Sequence, residues 1–346
     1  MKIAIVNTMA PYIYGGAEFF ADSLRDKFIE FGHQAQVIRF HYSWYPLDNI
    51  LDGMLAARMT RLVNCDRMIG MKFPSYLIGH PNKRLWLVHQ LRQAYDLAGT
   101  EYDMFADTPH DQQIKRAVIQ ADNKYLRELE GHIFTNSPVV SERLWTYNQI
   151  KSAVLYPPLM DASLFSFGDY GDYIFYPSRV NRSKRQHLAV EAMRYVKSGV
   201  KLVIAGKGDS EEDERFLFQQ IEENGVKDRV TYLNRFISQE EKAELFKNCL
   251  AGIYIPYDED SYGYVTLEGF QSGKAVISCT DAGGTYVVVQ DGETGFMTEP
   301  APQALAEAMD KLYNNRRLAK EMGRNGLPLL EKLGITWENV VRRLTE

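Results

Sequence analysis

The sequence predicts two doubly wound α/β domains, each a parallel β-sheet with helices on both faces. Short apolar runs rich in β-branched residues alternate with longer amphipathic stretches along all 346 residues, which is typical of buried parallel strands joined by helices. The chain is also longer than one core of about 100–200 residues requires. A segment rich in small and turn residues, SLFSFGDYGD at 163–172, marks the expected boundary between the domains.

Each apolar run is predicted to form one strand. Six runs lie before the boundary, at 2–7, 34–40, 67–71, 84–90, 132–137 and 153–158. Six lie after it, at 172–178, 200–206, 229–234, 251–257, 274–279 and 295–298. A helix start is indicated by Ser238-Gln-Glu-Glu241, which has the pattern of a capping box. Near the end, GLPLLEKLG is expected to break the helical pattern that TWENVVRRLTE resumes.

The composition argues against several classes of protein. With 45% hydrophobic and 25% charged residues the chain is ordinary for a globular protein, and no apolar stretch approaches the roughly 18 residues of a membrane span. The first apolar run, in MKIAIVNTMAPY, is too short for the core of a signal peptide. Three widely spaced cysteines indicate neither a disulfide framework nor a metal knuckle, so we expect a reducing, cytoplasmic setting.

The charge of the chain is unevenly distributed. The net charge of −5 gives no general attraction to nucleic acid. Residues 1–167 hold 17 basic and 17 acidic residues, whereas 168–346 hold 23 and 28. Within the first half, RMTRLVNCDRMIGMKF (58–73) mixes basic and apolar residues. This segment is either a solvated helix face followed by a strand or a surface for an anionic acceptor or the inner face of a membrane.

Candidate ligand-binding residues follow the carboxyl ends of the predicted strands, where open α/β sheets bind ligands. After the first strand, Gly15-Gly16 either brings backbone N–H groups close to an anion or forms a tight turn. The turn that begins at Gly206 has the same two interpretations. Arg179 and Lys184 flank a strand-to-helix turn, where the helix N-terminus is already positive. Basic residues there either indicate an anion or are ordinary surface charge, and two cations five positions apart suit a diphosphate.

The strand AGIYIPY leads into a second candidate site. Its loop, DEDS, precedes a helix expected to begin near Gly263, whose first N–H groups would bind an anion. Asp260 and Glu268 lie on either side and are suited to accept hydrogen bonds from the hydroxyls of a sugar or ribose. The D-x-D spacing that starts at Asp258 would also suit Mg²⁺. Because basic residues and a helix N-terminus already supply positive charge, we expect no metal.

Taken together, these motifs resemble the retaining family 4 glycosyltransferases of the GT-B type. The family pattern R-x4-K matches Arg179 and Lys184, and E-x7-E matches Asp260 and Glu268 with an aspartate in the first place. The other matches are Gly206 and Gly208 in a G-x-G turn, Tyr262-Gly263 within E-x7-E, Gly283-Gly284, Asp291 to Phe296 in D-G-x-T-G-F, Gly15-Gly16-Ala17-Glu18, and His89 after the fourth strand.

This resemblance implies a GT-B fold, in which two Rossmann-like domains face a cleft. Residues 1–167 would bind the acceptor, 168–326 would bind the nucleotide sugar, and a helix in 327–346 would cross back to the first domain. The implied reaction is retaining, metal-independent transfer of a hexose from a nucleotide-diphosphate sugar to a glycan or lipid-linked acceptor in polysaccharide synthesis. No cofactor is implied, and UDP-glucose is the expected donor ahead of GDP-mannose.

The resemblance also implies residue roles. The expected catalytic residues are Arg179 and Lys184 at the diphosphate, Asp260 at the transferred sugar and His89 at the reaction centre. Glu268 would hold the ribose hydroxyls. The expected donor-binding residues are Gly15, Gly16, Gly206, Arg235, Phe236, Ile237, Ser261, Tyr262, Gly263, Tyr264, Val265, Thr266 and Glu268.

Two other functions stay open. The first is a non-catalytic nucleotide-sugar-binding protein, which the aspartate at position 260 would suit. The second is a GT-B-like sugar-nucleotide epimerase or a phosphorylase. An epimerase would concentrate acid and base residues at one sugar carbon, and a phosphorylase would carry a cofactor lysine and a far longer chain.

Overall fold

The structure of the protein, a computed structural model, describes residues 1–12, 16–100 and 102–346. It contains two compact units. The first comprises Met1–Met160 together with Ile335–Glu346, and the second comprises Asp161–Gly334. The predicted segments of the chain begin at residues 168 and 327.

The first unit contains one six-stranded parallel sheet, ordered β2-β1-β3-β4-β5-β6. Its strands are β1 (Lys2–Met9), β2 (Gln34–His41), β3 (Arg67–Lys72), β4 (Lys83–His89), β5 (Ile133–Thr135) and β6 (Ala153–Val154). Its first four helices are α1 (Gly16–Glu30), α2 (Asp48–Met59), α3 (Pro109–Arg127) and α4 (Pro138–Asn148).

The second unit contains another six-stranded parallel sheet, ordered β12-β11-β10-β7-β8-β9. Its strands are β7 (Tyr173–Pro177), β8 (Lys201–Ala205), β9 (Val230–Leu233), β10 (Ala251–Ile253), β11 (Val276–Cys279) and β12 (Gly295–Thr298). Its helices are α5 (Gln186–Ala192), α6 (Glu211–Glu223), α7 (Gln239–Asn248), α8 (Tyr264–Gln271), α9 (Pro302–Asn314) and α10 (Arg316–Lys332).

The predicted doubly wound α/β class is confirmed, since each of the twelve predicted runs overlaps an observed strand. The predicted helix start is also confirmed. The Ser238 hydroxyl accepts a hydrogen bond of 3.1 Å from the Glu241 N–H and so caps α7. Among the described residues, no helix combines the length and the apolar character needed to cross a membrane.

The order of each sheet creates a position where ligands bind. In the second unit the chain reverses direction across the sheet between the adjacent strands β7 and β10. In the first unit the corresponding position lies between β1 and β3. The loops that follow such strand pairs diverge and leave a crevice at the carboxyl edge of the sheet. These two edges are therefore where the candidate site residues are to be sought.

The expected break lies at the end of GLPLLEKLG, because α10 continues through Pro328 to Lys332 and α11 begins at Trp337. Two glycines of α10 serve close packing. A Cβ on Gly323 would lie 2.0 Å from the Gly273 carbonyl oxygen, and one on Gly326 would lie 2.3 Å from the Phe270 ring. Loss of one helical hydrogen bond at the proline is offset by this contact with α8. The helix ends before Gly334, which has a φ of +68°.

The last helix, α11 (Trp337–Thr345), belongs to the first unit. Val340 and Leu344 are fully buried in a core cluster with residues of α1, β1 and β3. The indole N–H of Trp337 donates to the Leu159 carbonyl at 2.9 Å, and Arg67 donates to the Leu344 carbonyl at 2.7 Å. The final segment is thus a structural part of the first unit.

We predict that Leu344→Ala destabilises the first unit by about 2–4 kcal/mol, because the truncation leaves a cavity in a closed core. All four tryptophans lie in this unit, so their fluorescence during urea denaturation reports its unfolding. The control is Arg342→Ala, at a side chain that is 58% exposed, which should shift the free energy of unfolding by less than about 0.5 kcal/mol. Equal effects of the two changes would contradict the burial of α11.

A buried polar cluster joins three elements of the first unit. The carboxylate of Asp122, on α3, is fully buried and accepts hydrogen bonds from the hydroxyls of Tyr76 (2.5 Å) and Tyr95 (2.7 Å). It also accepts from the Gln90 amide at 3.3 Å. Burial raises the pKa of Asp122 to about 6, although these three hydrogen bonds partly oppose the rise.

This pKa predicts a pH dependence of stability. Between about pH 4 and 6 the folded Asp122 retains a proton that the unfolded chain has lost. The contribution of this group to the free energy of unfolding therefore falls as the pH rises through this window, by about 2–3 kcal/mol. Urea denaturation of the wild type and of Asp122→Asn at pH 4.5 and pH 7 tests this. The difference in stability between the two proteins should change with pH in that sense; a constant difference would refute the prediction.

Candidate active site

Lys184 occupies the carboxyl edge of the second sheet, between the loops that follow β7 and β10. It ends a 3₁₀ turn, Arg182–Lys184, whose first residue follows the capping residue Asn181. The helix that follows, α5, begins two residues later at Gln186. Its ammonium donates to the Tyr254 hydroxyl at 3.0 Å and forms an ion pair with Glu259.

The surroundings of Lys184 keep it charged. Its side chain is only 15% exposed, and burial by itself would lower the pKa of the ammonium. The nearby Tyr254 and Glu259 outweigh burial and raise the pKa of Lys184 above its usual value. Burial, together with the charge of Glu259, also raises the pKa of Tyr254 to about 12. The site therefore presents a permanent cation beside a neutral phenol.

Arg179 and Lys184 are held by different acids. Arg179 is 66% exposed and contacts Asp209 at 2.8 Å. Arg185, adjacent to Lys184, is the more buried cation and forms two hydrogen bonds of 2.7 Å with the Asp281 carboxylate. Of the two cations expected at one diphosphate, Lys184 is therefore largely buried and Arg179 is exposed.

The loop that contains DEDS is shaped by the glycine pair that follows β11. The Gly284 N–H donates to the Glu259 carbonyl at 2.9 Å, and the Asp258 N–H donates to the Asp281 carbonyl at 3.0 Å. Gly283 has a φ of +65°, and a Cβ there would lie 2.1 Å from the Glu259 carbonyl oxygen. The G-G motif therefore fixes the backbone that precedes Asp260.

Helix α8 begins where the sequence indicated. Gly263 is its N-cap residue, with a φ of +71°, and a Cβ there would lie 2.3 Å from the Tyr254 ring. The Thr266 N–H donates to the Gly263 carbonyl at 3.3 Å and its hydroxyl donates to the same oxygen at 2.7 Å. The N–H of Thr266 is therefore already engaged, which leaves the N–H groups of Tyr264 and Val265 as the candidates at the start of this helix.

Three more residues predicted for the site lie just before α8. Tyr262 is fully buried, whereas Asp260 and Ser261 are partly exposed in the loop. Among the described residues, no group of three or more His, Cys, Asp or Glu side chains is placed to hold a metal ion.

Glu268 is a buried carboxylate with only one oxygen engaged. It lies on α8 and is 4% exposed. Its Oε1 accepts from the ammonium of Lys242, on α7, at 2.5 Å. Its Oε2 is shielded from solvent and has no hydrogen-bond partner. A buried acceptor without a partner is costly, and a ligand hydroxyl would relieve that cost.

Three of the predicted donor-binding residues, Arg235, Phe236 and Ile237, follow β9. Arg235 forms a two-point ion pair with Glu241, with contacts of 2.8 and 2.5 Å. Phe236 is 75% exposed, whereas Ile237 is buried. Gly206 lies nearby at the end of β8, where a Cβ would be 2.0 Å from the Ser178 carbonyl oxygen. Close packing against the β7 end therefore accounts for that glycine.

The first unit has a pocket of about 290 Å³ at the edge of its sheet. It is lined by Glu18, Lys72, His89, Tyr42 and Trp44, among others. The Lys72 ammonium pairs with the buried Glu18 carboxylate at 2.9 Å. The Nδ1 of His89 is 2.7 Å from the Gln90 carbonyl oxygen, which places the donor proton on Nδ1.

Two other predictions concern the first unit. Gly16 is the exposed first residue of α1, whereas Gly15 lies outside the described residues. The segment 58–73 forms the end of α2, a loop and β3. The guanidinium of Arg58 lies 4.0 Å from the centre of the Tyr125 ring, and Arg67 is buried.

Sequence reasoning missed the partners of the predicted residues. Asp281 had a signal, since it lies two residues after a predicted strand. Glu259 adjoins Asp260, and its pairing with Lys184 depends on the loop conformation. Lys242 carried no signal, because 26 residues separate it from Glu268.

The comparisons agree with this architecture. Residues 167–327 match the family described as Glycosyl transferases group 1. The alpha-1,3/1,6-mannosyltransferase ALG2 of Dictyostelium discoideum is 28% identical over 59% of this chain and 47% of its own length. An uncharacterised glycosyltransferase of Methanocaldococcus jannaschii is 27% identical over 63% and 59%. The chain spans about half the length of the curated relatives it matches.

Two solved structures resemble the whole chain. Sucrose-phosphate synthase from Thermosynechococcus elongatus has a TM-score of 0.76 at 17% identity, over 99% of this chain and 97% of its own. Anabaena HepE, in complex with UDP and glucose, has a TM-score of 0.74 at 17% identity, over 100% and 99%. The fold is therefore that of the GT-B glycosyltransferases.

Proposed function

We propose that this protein is a retaining glycosyltransferase that transfers a hexose from a nucleotide-diphosphate sugar to a glycan or lipid-linked acceptor. The main support is the placement of Lys184 at the edge of the second sheet. There a largely buried, charged ammonium faces a loop that ends in a helix N-terminus. Such a position suits a phosphate group.

The proposed donor site uses the residues around that ammonium. Lys184 and the first N–H groups of α8 stabilise the charge that develops on the leaving β-phosphate. The free oxygen of Glu268 accepts the ribose hydroxyls, and the exposed Phe236 ring packs on the base. Asp260 faces the transferred sugar, and Arg179 binds the outer phosphate after exchanging Asp209 for it.

The acceptor binds in the pocket of the first unit, near His89 and Gly16. The acceptor hydroxyl attacks the sugar carbon on the face from which the diphosphate leaves. The bond from that carbon to the acceptor oxygen forms as the bond to the phosphate oxygen breaks. The acceptor proton passes to the leaving phosphate, so the reaction retains configuration and requires neither metal nor cofactor.

For the donor, we propose UDP-glucose, with a mannose nucleotide as the alternative. UDP-glucose is the donor expected from the family resemblance, and HepE, a structural neighbour, has been crystallised with UDP-glucose. The mannose alternative is favoured by relatives named as mannosyltransferases, from Dictyostelium discoideum and Escherichia coli. The protein would act in the cytoplasm, at the inner face of the membrane where the acceptor is lipid-linked.

A thermal-shift panel tests the donor. UDP-glucose, GDP-mannose and ADP-glucose are each added at matched concentrations, and UDP-glucose should raise the melting temperature most. Selective binding stabilises by mass action, by about 2.7 kcal/mol at a ligand concentration of 100 Kd. A larger rise with GDP-mannose would select the mannose alternative. No rise with any of the three would contradict the donor site.

Transfer to a panel of glycan and lipid-linked glycan acceptors tests the activity. Lys184→Ala should reduce the rate of transfer by roughly 100-fold or more, because it removes the buried cation at the leaving group. Lys227→Ala, at a side chain that is 73% exposed, is the control and should leave the rate unchanged. Wild-type transfer should persist in EDTA. Donor binding without transfer to any acceptor would support the non-catalytic alternative instead.

A further inference from the structure

Helix α7 connects the two halves of the proposed nucleoside site. Its N-cap Ser238 directly follows the base-binding loop Arg235–Ile237. In its first turns, two consecutive residues point to different partners. Glu241 pairs with Arg235 of that loop, and Lys242 pairs with Glu268 of α8. The start of one helix thus holds both the loop that would contact the base and the carboxylate that would contact the ribose.

The contact between Lys242 and Glu268 is sheltered. The side chains are 16% and 5% exposed, and the Nζ–Oε1 distance is 2.5 Å. A carboxylate this deeply buried is unfavourable unless a positive charge faces it. Lys242 supplies that charge from the side of α7. Because Lys242 bonds to Oε1, it leaves Oε2 as the acceptor that has no partner.

We propose that Lys242 is a positioning residue for the nucleotide. It acts through Glu268, holding the carboxylate in one orientation so that Oε2 accepts the ribose hydroxyls. The inference rests on the proposed function of the second unit as a nucleotide-sugar site. Beyond that function, the proposal gives a physical cause for a preference for ribose, namely the ion pair between α7 and α8.

A positioning role can be separated from a merely structural one by measuring discrimination between ribose and deoxyribose. A site built to hydrogen-bond a hydroxyl rejects the analogue that lacks it, because its buried acceptor is then left unpaired. The probes are UDP with 2′-deoxy-UDP and GDP with 2′-deoxy-GDP, with both Kd values measured by titration calorimetry. Wild type should prefer the ribonucleotide of the pair that binds by about 10-fold or more.

Lys242→Met should lower this ratio to about 2 or less, because the carboxylate loses the group that orients it. Lys242→Arg should retain most of the preference. The matched control is Lys247→Met, on the same helix at a side chain that is 43% exposed, which should leave the ratio unchanged. A wild-type ratio in Lys242→Met would overturn the proposal.

Glu268→Gln provides a second test if Lys242→Met folds poorly. Glu268→Gln should also lose the preference, and adding Lys242→Met to it should lower the ratio no further, since the two residues act as one unit. Independent, additive losses would overturn the proposal, as would a wild type that binds the nucleotides without preferring ribose. If no nucleoside diphosphate binds at all, the proposed function itself fails, which is a distinct result.

Discussion

Lys184 keeps its positive charge in a largely buried position because Tyr254 and Glu259 face it. Much of the second unit's candidate site is arranged around this contact. The Tyr254 ring leaves no room for a side chain at Gly263, so it also determines how α8 begins. The backbone of Glu259 is fixed by Gly284, whose N–H donates a hydrogen bond to the Glu259 carbonyl. The need to stabilise the Lys184 charge thus constrains the Tyr254 side chain, the loop that contains Glu259 and the start of α8.

The same principle operates in the first unit with different groups. There the Lys72 ammonium faces the buried carboxylate of Glu18 beside the pocket. In the same unit, the Asp122 carboxylate accepts hydrogen bonds from neutral donors and not from a cation. Burial therefore raises its pKa to about 6. The two units therefore compensate buried acids in two ways, by pairing and by partial neutralisation.

Much of the fold could be predicted from the sequence because buried parallel strands leave continuous apolar runs. Each of the twelve predicted runs overlaps a strand, and the Ser238 cap appeared where the capping pattern placed it. The continuation of α10 through Pro328 has a tertiary cause, since Gly323 and Gly326 permit a helix contact that local propensity does not register.

For the candidate site, the predicted strand ends indicated where the side chains lie but not which residues pair with them. Lys184 and Glu268 were found because they follow recognisable strand and helix boundaries. Their partners, Glu259 and Lys242, depend on a loop conformation and on the packing of α7 against α8, neither of which leaves a spacing pattern. The sequence around Gly206 predicts either a close approach to a ligand or a tight turn, and Gly283-Gly284 matches the family pattern. In the structure their neighbours are backbone atoms of adjacent loops.

The assignment of Ile335–Glu346 to the first unit has a consequence for the order of synthesis. A ribosome completes all of the second unit before it produces α11. Until then the surface that Val340 and Leu344 will cover on the first unit stays exposed to water. Exposed apolar surface on a nascent chain is where aggregation starts. The earliest-made half of this protein is therefore the last to finish folding.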